Sequence, residues 1–445
     1  MSSTDHQSGA AAPVAEPPDH GHEPGTTRAA LSYRAFRIVF VGLALSQVGT
    51  WMQNVLLPAY IQDRTGRPSI VGVAIFAQLG PLLLLSIPAG VLADKVSKQK
   101  LMISMQAISA ALTLATAALV ASDSAVEWIL LSQLGIGIAN ALNAPAFQSS
   151  MPLLVHRQDL PGAISLNSAM INGSRVMGPV TAAILGVIGL SMAQIFVVNA
   201  GTYLFFIGAL LVVTMPDVKL KSKVKGFARL GVGISIARNR KVLARLLLGM
   251  CTFSLLSLVH IGLFPSVAEL AFGIDADSPA YRWLYATWGF GAFFGAISVG
   301  TFLSGFHRRV LIVRGFQGFA IALAVFSQLR DQATPYVIGF VLGFFYFMTA
   351  TAITTSLQLN MRDDERASVM PLWFMVFGGT VPIGNLIGGP IIEAIGPRPV
   401  LLFGAAWAVF LSWWLDLRRQ PADWFLPEVD GGEVAIKPIN ASRQI

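Results

Sequence analysis

The sequence predicts an all-α polytopic membrane protein with twelve transmembrane helices, arranged as two six-helix repeats. Three observations lead to this fold class. Of the 445 residues, 54% are hydrophobic and only 12% are charged, about half of the roughly 25% charged share that is usual for soluble domains. Uncharged runs long enough to cross a bilayer, which takes about 20 residues in a helix, follow one another along the chain. Corresponding segments also recur in the second half of the sequence.

Most of the helices follow directly from runs that contain no Asp, Glu, Lys, Arg or His. These runs are residues 38–62 (helix 1), 68–93 (helix 2), 101–122 (helix 3), 128–155 (helix 4), 283–306 (helix 8), 332–361 (helix 10) and 367–392 (helix 11). Residues 160–216 carry Arg175 as their one charge, and "LGVIGLSM" divides them into helices 5 and 6. Charges or short lengths blur the remaining segments, which are residues 242–270 (helix 7), 310–329 (helix 9) and 399–417 (helix 12).

Three pairs of segments indicate that the chain is a duplicated six-helix unit. They are Pro58 and Gly66 with Pro265 and Gly273, "GVLADKVSKQ" at 90–99 with "GTFLSGFHRR" at 300–309, and "GPVTAAILG" from Gly178 with "GNLIGGPII" from Gly384. Because the matches occur in the same order and at similar offsets, we expect two structural repeats.

The charge distribution divides the chain into domains. We assign residues 36–216 to an N-terminal six-helix bundle and residues 242–417 to a C-terminal one. The strongly basic segment 217–241 between them is predicted to be a cytoplasmic linker. Residues 1–35 are predicted to form a disordered cytoplasmic tail, since their first part lacks an apolar core. Residues 418–445 are predicted to be a short cytoplasmic tail.

The positions of Lys and Arg predict the orientation in the membrane. With both termini in the cytoplasm, the outer loops receive only Arg64, Arg67, Arg282, Arg330 and Arg398, as the positive-inside rule requires. This topology, together with anionic lipid, explains the net charge of +8, so no nucleic-acid partner is predicted. We expect a multi-pass monomer in a bacterial-type inner membrane, with the lipid bilayer and a small-molecule substrate as its partners.

The loop after helix 2 carries an unexpected acid. Lysines are expected in "GVLADKVSKQK" at 90–100 because it faces the cytoplasm. Asp94, however, lies at the negative C-terminal end of helix 2, where a carboxylate is disfavoured unless a nearby cation or the N-terminus of another helix compensates its charge. The simplest interpretation pairs Asp94 with Lys95 or Lys98 in a solvated loop.

This loop resembles the cytoplasmic signature between helices 2 and 3 of the major facilitator superfamily. The resemblance rests on Gly90, Asp94, Lys95 and Lys98, and Ser97 replaces a glycine that the family usually has. Three further stretches resemble the branch that contains enterobactin exporters and related siderophore or drug exporters. They are "FRIVFVGLALSQVGTWMQNV" in helix 1, "LNAPAFQSSMPLLV" in the second half of helix 4, and "LNSAMINGSRVMGP" in helix 5.

The resemblance implies a latch that closes the cytoplasmic side of an alternating-access transporter. In it, Asp94 meets the N-terminus of helix 11 near Ala367 and Ser368, which presents the positive end of that helix. Ser304 occupies the matching repeat position, so the latch is expected on one side only.

In helix 5, "RVMGP" resembles the Gly-Pro motif of family antiporters. Pro179 removes a backbone donor and Gly178 permits close helix packing. The motif is interpreted either as a packed kink or as a determinant of exchange direction.

The family fold places helices 1, 4, 7 and 10 around a central cavity, so polar residues on them are candidate substrate ligands. Gln53 and His260 occupy matching repeat positions, and they either face this cavity together or each bond a neighbouring helix. Trp51, Asn54, Asn143 and Tyr346 add aromatic and amide groups, which suits an amphipathic solute.

Arg175 is a full charge within an apolar segment, where such residues are costly and need a partner. An anionic substrate such as a catecholate or carboxylate could provide the partner. Backbone carbonyls at a contact with helix 1 or helix 8 could also do so.

The sequence predicts a transporter rather than an enzyme. The single cysteine, Cys251, provides neither a disulfide nor a cysteine metal cluster, so no metal site is predicted. No "GxxxxGK" loop is present, so we expect no cofactor. The resemblance implies that the proton gradient is the energy source, and the residues leave the proton carrier open.

Together these observations predict a secondary active transporter that exports a small amphipathic molecule, siderophore-like or drug-like, by alternating access. The alternatives are a multidrug efflux pump of broad specificity, a lipid flippase and a non-transporting membrane sensor on the same fold.

Overall fold

A computed structural model of the chain describes residues 21–215, 227–421 and 424–425. Within these ranges the regular structure is helical and no strand occurs. Nine of the described helices are long and apolar enough to cross a membrane by length and composition. Helices 5, 7 and 8 complete the two bundles. The predicted all-α polytopic fold is therefore confirmed.

The N-terminal bundle contains helices 1 to 6. They are helix 1 (Arg34–Thr65), helix 2 (Pro68–Lys95), helix 3 (Lys98–Ala121), helix 4 (Val126–Ser150), helix 5 (Leu160–Val187) and helix 6 (Met192–Val212). A short helix, Thr27–Ser32, precedes them, and the 3-10 turns Met151–Leu153 and Arg157–Asp159 connect helix 4 to helix 5.

The C-terminal bundle begins with a linker helix, Phe227–Asn239. Helix 7 is broken into Lys241–Leu256, Val259–Gly262 and Phe264–Phe272, and helix 11 into Asp363–Phe374, a π-helical turn Met375–Gly379, and Thr380–Ile395. The continuous helices are helix 8 (Pro279–Ser298), helix 9 (Arg308–Gln328), helix 10 (Thr334–Leu359) and helix 12 (Pro397–Trp414), followed by the turn Leu417–Arg419.

Helix ends are set by the residues that the backbone requires there. Pro68 and Pro279 lie in the first turns of helices 2 and 8, where the missing N–H has no intrahelical acceptor to lose. Gly66 ends helix 1 with φ +60° and Gly273 ends helix 7 with φ +67°. This left-handed conformation favours glycine, and its occurrence at both sites supports the repeat seen in the sequence.

The predicted N-terminal tail is partly ordered, which corrects its boundary at residue 35. The Gly25 N–H and the Tyr33 hydroxyl donate hydrogen bonds of 2.9 and 2.8 Å to the fully buried Asp159 carboxylate, so this segment packs against the start of helix 5. Burial and the bond to Asp159 raise the pKa of Tyr33 to about 12. Residues 1–20 lie outside the described residues.

The linker is also partly ordered. Its helix packs against the first segment of helix 11, and Arg240 pairs with Glu365 at 3.3 Å. Residues 216–226 of the predicted linker lie outside the described part of the chain. Residues 422–423 and 426–445 of the predicted C-terminal tail also lie outside the described part of the chain. Phe425 is described, and its ring centre lies 3.6 Å from the guanidinium carbon of Arg309.

The molecule has two ends, which we name by their loops. The basic end carries the loop with Lys95, Lys98 and Lys100, and the opposite end carries the loops after helices 1, 7 and 11. The bundles contact each other chiefly through helix 2 with helix 11 and helix 5 with helix 8.

These contacts are concentrated at the opposite end. There Arg67 pairs with Glu393 at 3.1 Å, and Gly72 lies against the Asn385 carbonyl. A buried apolar cluster joins the bundles at the same end, with Met52, Leu56, Val71 and Ile75 from the first and Val259, Leu263 and Ile392 from the second. A separate apolar cluster at the basic end is built from the N-terminal half alone, among the residues described. The conformation is therefore closed at the opposite end.

Candidate functional site

The candidate site lies where helix 5 of the first bundle meets helices 10 and 11 of the second. The Arg175 guanidinium carbon is 4.8 Å from the ring centre of Phe347, 5.2 Å from that of Trp51 and 6.0 Å from that of Phe377. Its Nε is buried and forms no hydrogen bond. No ion pair among the described residues includes Arg175.

The rings reduce the cost of burying the charge but do not neutralise it. Each contact of a cation with an aromatic face gains about 0.5–2 kcal/mol, which for three rings is comparable with the cost of at least about 2.5 kcal/mol for an unpaired charge within a membrane, yet the rings carry no net charge. The site is therefore positive, without a counter-charge among the described residues. An anion with an aromatic part would complement both its charge and its surface.

More aromatic side chains continue this surface into the second bundle. The Tyr346 ring stacks on Trp288 at 6.1 Å and on Phe377 at 6.4 Å, and Phe377 stacks on Trp373 at 5.5 Å. Tyr285 and Tyr346 lie close enough to interact electrostatically with Arg175. Two hydroxyl groups thus accompany the guanidinium.

The local backbone explains how two of the rings reach Arg175. The π-helical turn Met375–Gly379 interrupts helix 11 at Phe377, and such turns are frequent at functional sites. In helix 5, a Cβ on Gly178 would overlap Trp51, so only glycine allows the close approach of helix 1. Pro179 is buried beside it. The Gly-Pro motif thus supports the packing of the site, and its role in exchange direction stays a prediction.

Gln53 lies inside the N-terminal bundle and not beside Arg175. Its side chain is 2% exposed and bonds Gln133 at 3.0 Å, Asn199 at 2.7 Å and Thr113 at 3.3 Å. Of the two alternatives that the sequence left open, the structure shows bonding to neighbouring helices.

Asn54 also bonds a neighbouring helix, because its Oδ1 accepts a hydrogen bond of 2.8 Å from the Gln78 side chain. Asn143 lies half-buried on helix 4, and its Oδ1 has no hydrogen-bond partner.

His260 faces the interior of the C-terminal bundle. It is completely buried, its Nδ1 lies 3.1 Å from the Ser257 carbonyl, and its ring packs on Phe319. Its Nε2 has no partner. The structure thus brings together Trp51, Arg175 and Tyr346, and leaves Gln53 and His260 apart in separate bundles.

Five aromatic residues of this surface have no distinguishing signal in the sequence: Phe347, Phe377, Trp373, Trp288 and Tyr285. Their aromatic character was visible, but many aromatic residues occupy these helices, and only the packing of helices 8, 10 and 11 selects the ones that face Arg175.

The predicted latch residues at the basic end do not form a cross-bundle contact that the structure describes. Lys98 donates to the Ser149 carbonyl at 3.4 Å within its own bundle, and Lys95 is exposed. Gly90 has open space around it, and the Ser368 carbonyl lies against Gly233 of the linker helix. The side chains of Asp94 and Ala367 lie outside the described part of the chain, so the latch stays a prediction.

Metal binding has no obvious location. Within residues 21–215, 227–421 and 424–425, no group of three or more His, Cys, Asp or Glu side chains is placed to hold a metal ion.

Comparison with known proteins identifies relatives along most of the chain. It is 26% identical over 364 residues to the staphyloferrin A transporter of Staphylococcus aureus, covering 78% of this chain and 87% of the relative. It is 22% identical over 384 residues to macrolide efflux protein A of Streptococcus pyogenes, covering 81% and 90%. It is 23% identical over 373 residues to the enterobactin exporter EntS of Shigella boydii, covering 82% and 86%.

Solved structures share the fold. A mutant of the nucleoside transporter NupG matches with a TM-score of 0.69 and 14% identity, covering 86% of this chain and all of that one. A bacterial homologue of the human lysosomal transporter Spinster matches with a TM-score of 0.66 and 15% identity, covering 87% of this chain and 96% of that one.

The family of transmembrane secretion effectors matches residues 25–429. Since this family and the relatives are transporters and not enzymes, the predictions of a transporter and of no enzymatic activity are confirmed. The chain belongs to the transmembrane secretion effector family of the major facilitator superfamily, and it resembles the siderophore and drug exporters of that superfamily.

Proposed function

We propose that this protein exports a small amphipathic molecule carrying an anionic group and an aromatic part, such as a siderophore, across a bacterial inner membrane. Export proceeds by alternating access and uses the proton gradient. The observation that supports this proposal most directly is Arg175, a positive charge that forms no ion pair with any described residue and is enclosed by aromatic rings at the junction of the two bundles.

The geometry suggests how such a site would act. Arg175 and Trp51 belong to the first bundle, whereas Phe347, Phe377 and Tyr346 belong to the second. A substrate held between them would supply the missing negative charge, and its aromatic part would stack on the rings. Because the contacts come from both bundles, a rocking motion of one against the other would change the side from which the site is reached.

The enterobactin exporter supports the direction, and the enterobactin and staphyloferrin A relatives together support the substrate class. An enterobactin exporter and a staphyloferrin A transporter both match more than three quarters of this chain.

Multidrug efflux is the second candidate. The macrolide efflux relative favours it, as does the aromatic surface, which tolerates many apolar solutes. The two candidates differ at Arg175, because a neutral or cationic drug would not need the guanidinium.

Transport into inverted membrane vesicles tests the proposal. We expect a catecholate siderophore, which carries acidic groups on aromatic rings, to accumulate with the wild-type protein, and Arg175→Gln to reduce the initial rate at least tenfold, which corresponds to about 1.4 kcal/mol. Arg175→Lys should retain an intermediate rate, because it keeps the charge but not the planar fork. Arg314→Gln is the matched control, since Arg314 is an exposed residue whose guanidinium donates to Gln317 on its own helix.

Near-normal transport by both Arg175 variants at normal expression would contradict the anionic-substrate assignment. If these variants instead keep the efflux of neutral drugs, multidrug efflux is the better description.

Energy coupling is tested in the same vesicles. Collapse of the proton gradient by an uncoupler should abolish uphill accumulation while leaving exchange at equal concentrations intact. Uphill accumulation that survives the uncoupler would contradict proton coupling.

A further inference from the structure

A buried polar contact joins helix 1 to helix 7 at the opposite end. Gln62 of helix 1 is completely buried, and the Ser266 hydroxyl of helix 7 donates a hydrogen bond to its Oε1. Glu269 follows Ser266 by three residues and so lies on the same face of helix 7. The three side chains join the first bundle to the second where the molecule is closed.

Glu269 lacks the partners that an ionised carboxylate needs. The Gln62 amide lies within reach of its carboxyl group, but the Gln62 Nε2 and the Glu269 Oε2 are both buried without a hydrogen bond. No ion pair of the described residues includes Glu269. Glu269 as a whole is partly buried, and its shielded Oε2 is the atom at which a negative charge without a donor is disfavoured, so this surrounding favours the neutral acid.

The neighbouring charges act in the same direction. Asp63 at the end of helix 1 and Asp275 after helix 7 both repel a negative charge on Glu269. Asp277, in the same loop as Asp275, is close enough to repel Asp63 in turn.

The nearby arginines bond other groups and not the Glu269 carboxylate. Arg282 of helix 8 pairs with Asp277 at 2.9 Å. Arg398 of helix 12 donates to the carbonyls of Ala271 and Leu329, and Arg64 of helix 1 pairs with Asp123.

We propose that closure of the opposite end binds one proton at Glu269. When this end is open, Glu269 lies in water and is ionised. On closure, the carboxylate takes a proton from the solution at that end, and the resulting carboxyl group has one O–H to donate and one oxygen to accept from the Gln62 amide. The proton returns to solution when the bundles separate again. The inference rests on the proposed alternating-access function, and it identifies Glu269 as the residue through which pH shifts the equilibrium between the open and the closed opposite end.

Glu393 provides a built-in contrast at the same end. It also joins the bundles, but it receives bonds from the Arg67 guanidinium at 3.1 Å and from the Ser69 N–H at 3.3 Å. These donors stabilise its charged form, so closure does not require a proton there.

Distance measurements on the full chain test the proposal without any substrate. Spin labels are placed on Ser122→Cys and Arg330→Cys, two exposed positions at the opposite end in different bundles, in a Cys251→Ser background. In lipid nanodiscs, we expect the closed fraction to fall at least threefold as the pH rises from about 5 to about 9, a range that spans the ionisation of a shielded carboxyl group. Glu269→Gln, which mimics the neutral acid, should remain closed throughout this range.

Two further variants make the result specific. Glu393→Gln should keep the pH response of the wild type, although it loses the bond to Arg67. Glu269→Asp should keep a pH response with a changed midpoint, which shows that the helix 7 segment still folds and that a carboxyl group at this position is the cause.

A pH response in Glu269→Gln equal to that of the wild type overturns the proposal, as does a wild-type protein whose closed fraction ignores pH. Both results are independent of export, because no transported molecule is present. A failure of siderophore transport would leave the distances unchanged, so the two proposals fail separately.

Discussion

The two bundles share one repeat and yet hold opposite kinds of interior. The centre of the first is a hydrogen-bonded network between helices 1, 3, 4 and 6, made by Gln53, Thr113, Thr116, Ser132, Gln133 and Asn199. The centre of the second is aromatic, with Phe253, Phe264, Phe272, Phe316, Phe319 and Phe326 in ring contacts of 4.8–6.1 Å. Gln53 and His260 occupy matching repeat positions, yet Gln53 belongs to the hydrogen-bonded network and His260 packs on the ring of Phe319.

This contrast shows that a repeat can preserve the order of its helices and the glycines at their ends while its interior chemistry diverges. Hydrogen bonds are directional and fix helices in one relative position, whereas aromatic packing tolerates several arrangements. The first bundle keeps helix 1 continuous over Arg34–Thr65, and the second breaks helix 7 into three pieces. We therefore expect the first bundle to be the more rigid body, with Arg175 fixed on it and the rings moving over the charge.

The largest effect is expected at the aromatic centre. Phe253 is fully buried and makes edge contacts with Phe316 at 5.0 Å and Phe319 at 4.9 Å. Phe253→Ala should reduce the free energy of unfolding by about 3–5 kcal/mol, because it leaves a cavity that rigid rings fill poorly. Thermal unfolding in detergent measures the change.

Phe253→Leu is the matched control for that substitution, since it keeps most of the volume and should cost far less. Equal losses for the two variants would show that edge contacts, and not volume, stabilise this interior.

A smaller effect is expected at the matched polar pair. Gln53→Leu leaves the Gln133 and Asn199 amides without their partner, which should cost about 1–2 kcal/mol in a membrane interior. His260→Leu removes one bond to the Ser257 carbonyl and also a buried nitrogen that has no partner, so it should cost less than about 1 kcal/mol. Unfolding of the two variants in the same detergent compares them directly. A greater loss for His260→Leu would contradict the assignment of hydrogen bonding to the first bundle alone.

The sequence predicted the parts of the fold that depend on composition and spacing. Uncharged runs place the helices within a few residues, because a bilayer imposes one length on every crossing. Gly66 and Gly273 could be matched because few residues adopt a left-handed conformation. The exception was the segment from Gly25 to Tyr33, whose order depends on Asp159, more than a hundred residues away.

The candidate site was less accessible to sequence analysis. Arg175 stood out because a charge is rare in an apolar run. Its rings did not stand out, because Phe347 and Phe377 are apolar residues like their neighbours, and the π-helical turn that presents Phe377 has no distinctive pattern. The predicted pairing of Gln53 with His260 used the repeat correctly, but each side chain turns towards its own bundle. Which way a side chain turns depends on packing and not on repeat position.

The smallest difference between matched variants is expected where the two bundles agree. Gly66 and Gly273 have φ values of +60° and +67°, and a Cβ on either would meet open space or a distant side chain. Gly66→Ala and Gly273→Ala should therefore each cost about 1 kcal/mol, through backbone strain alone. Equal shifts in the unfolding temperature would show that the repeat is preserved energetically at its helix ends. If one variant costs much more than the other, the divergence between the bundles extends to these helix ends as well.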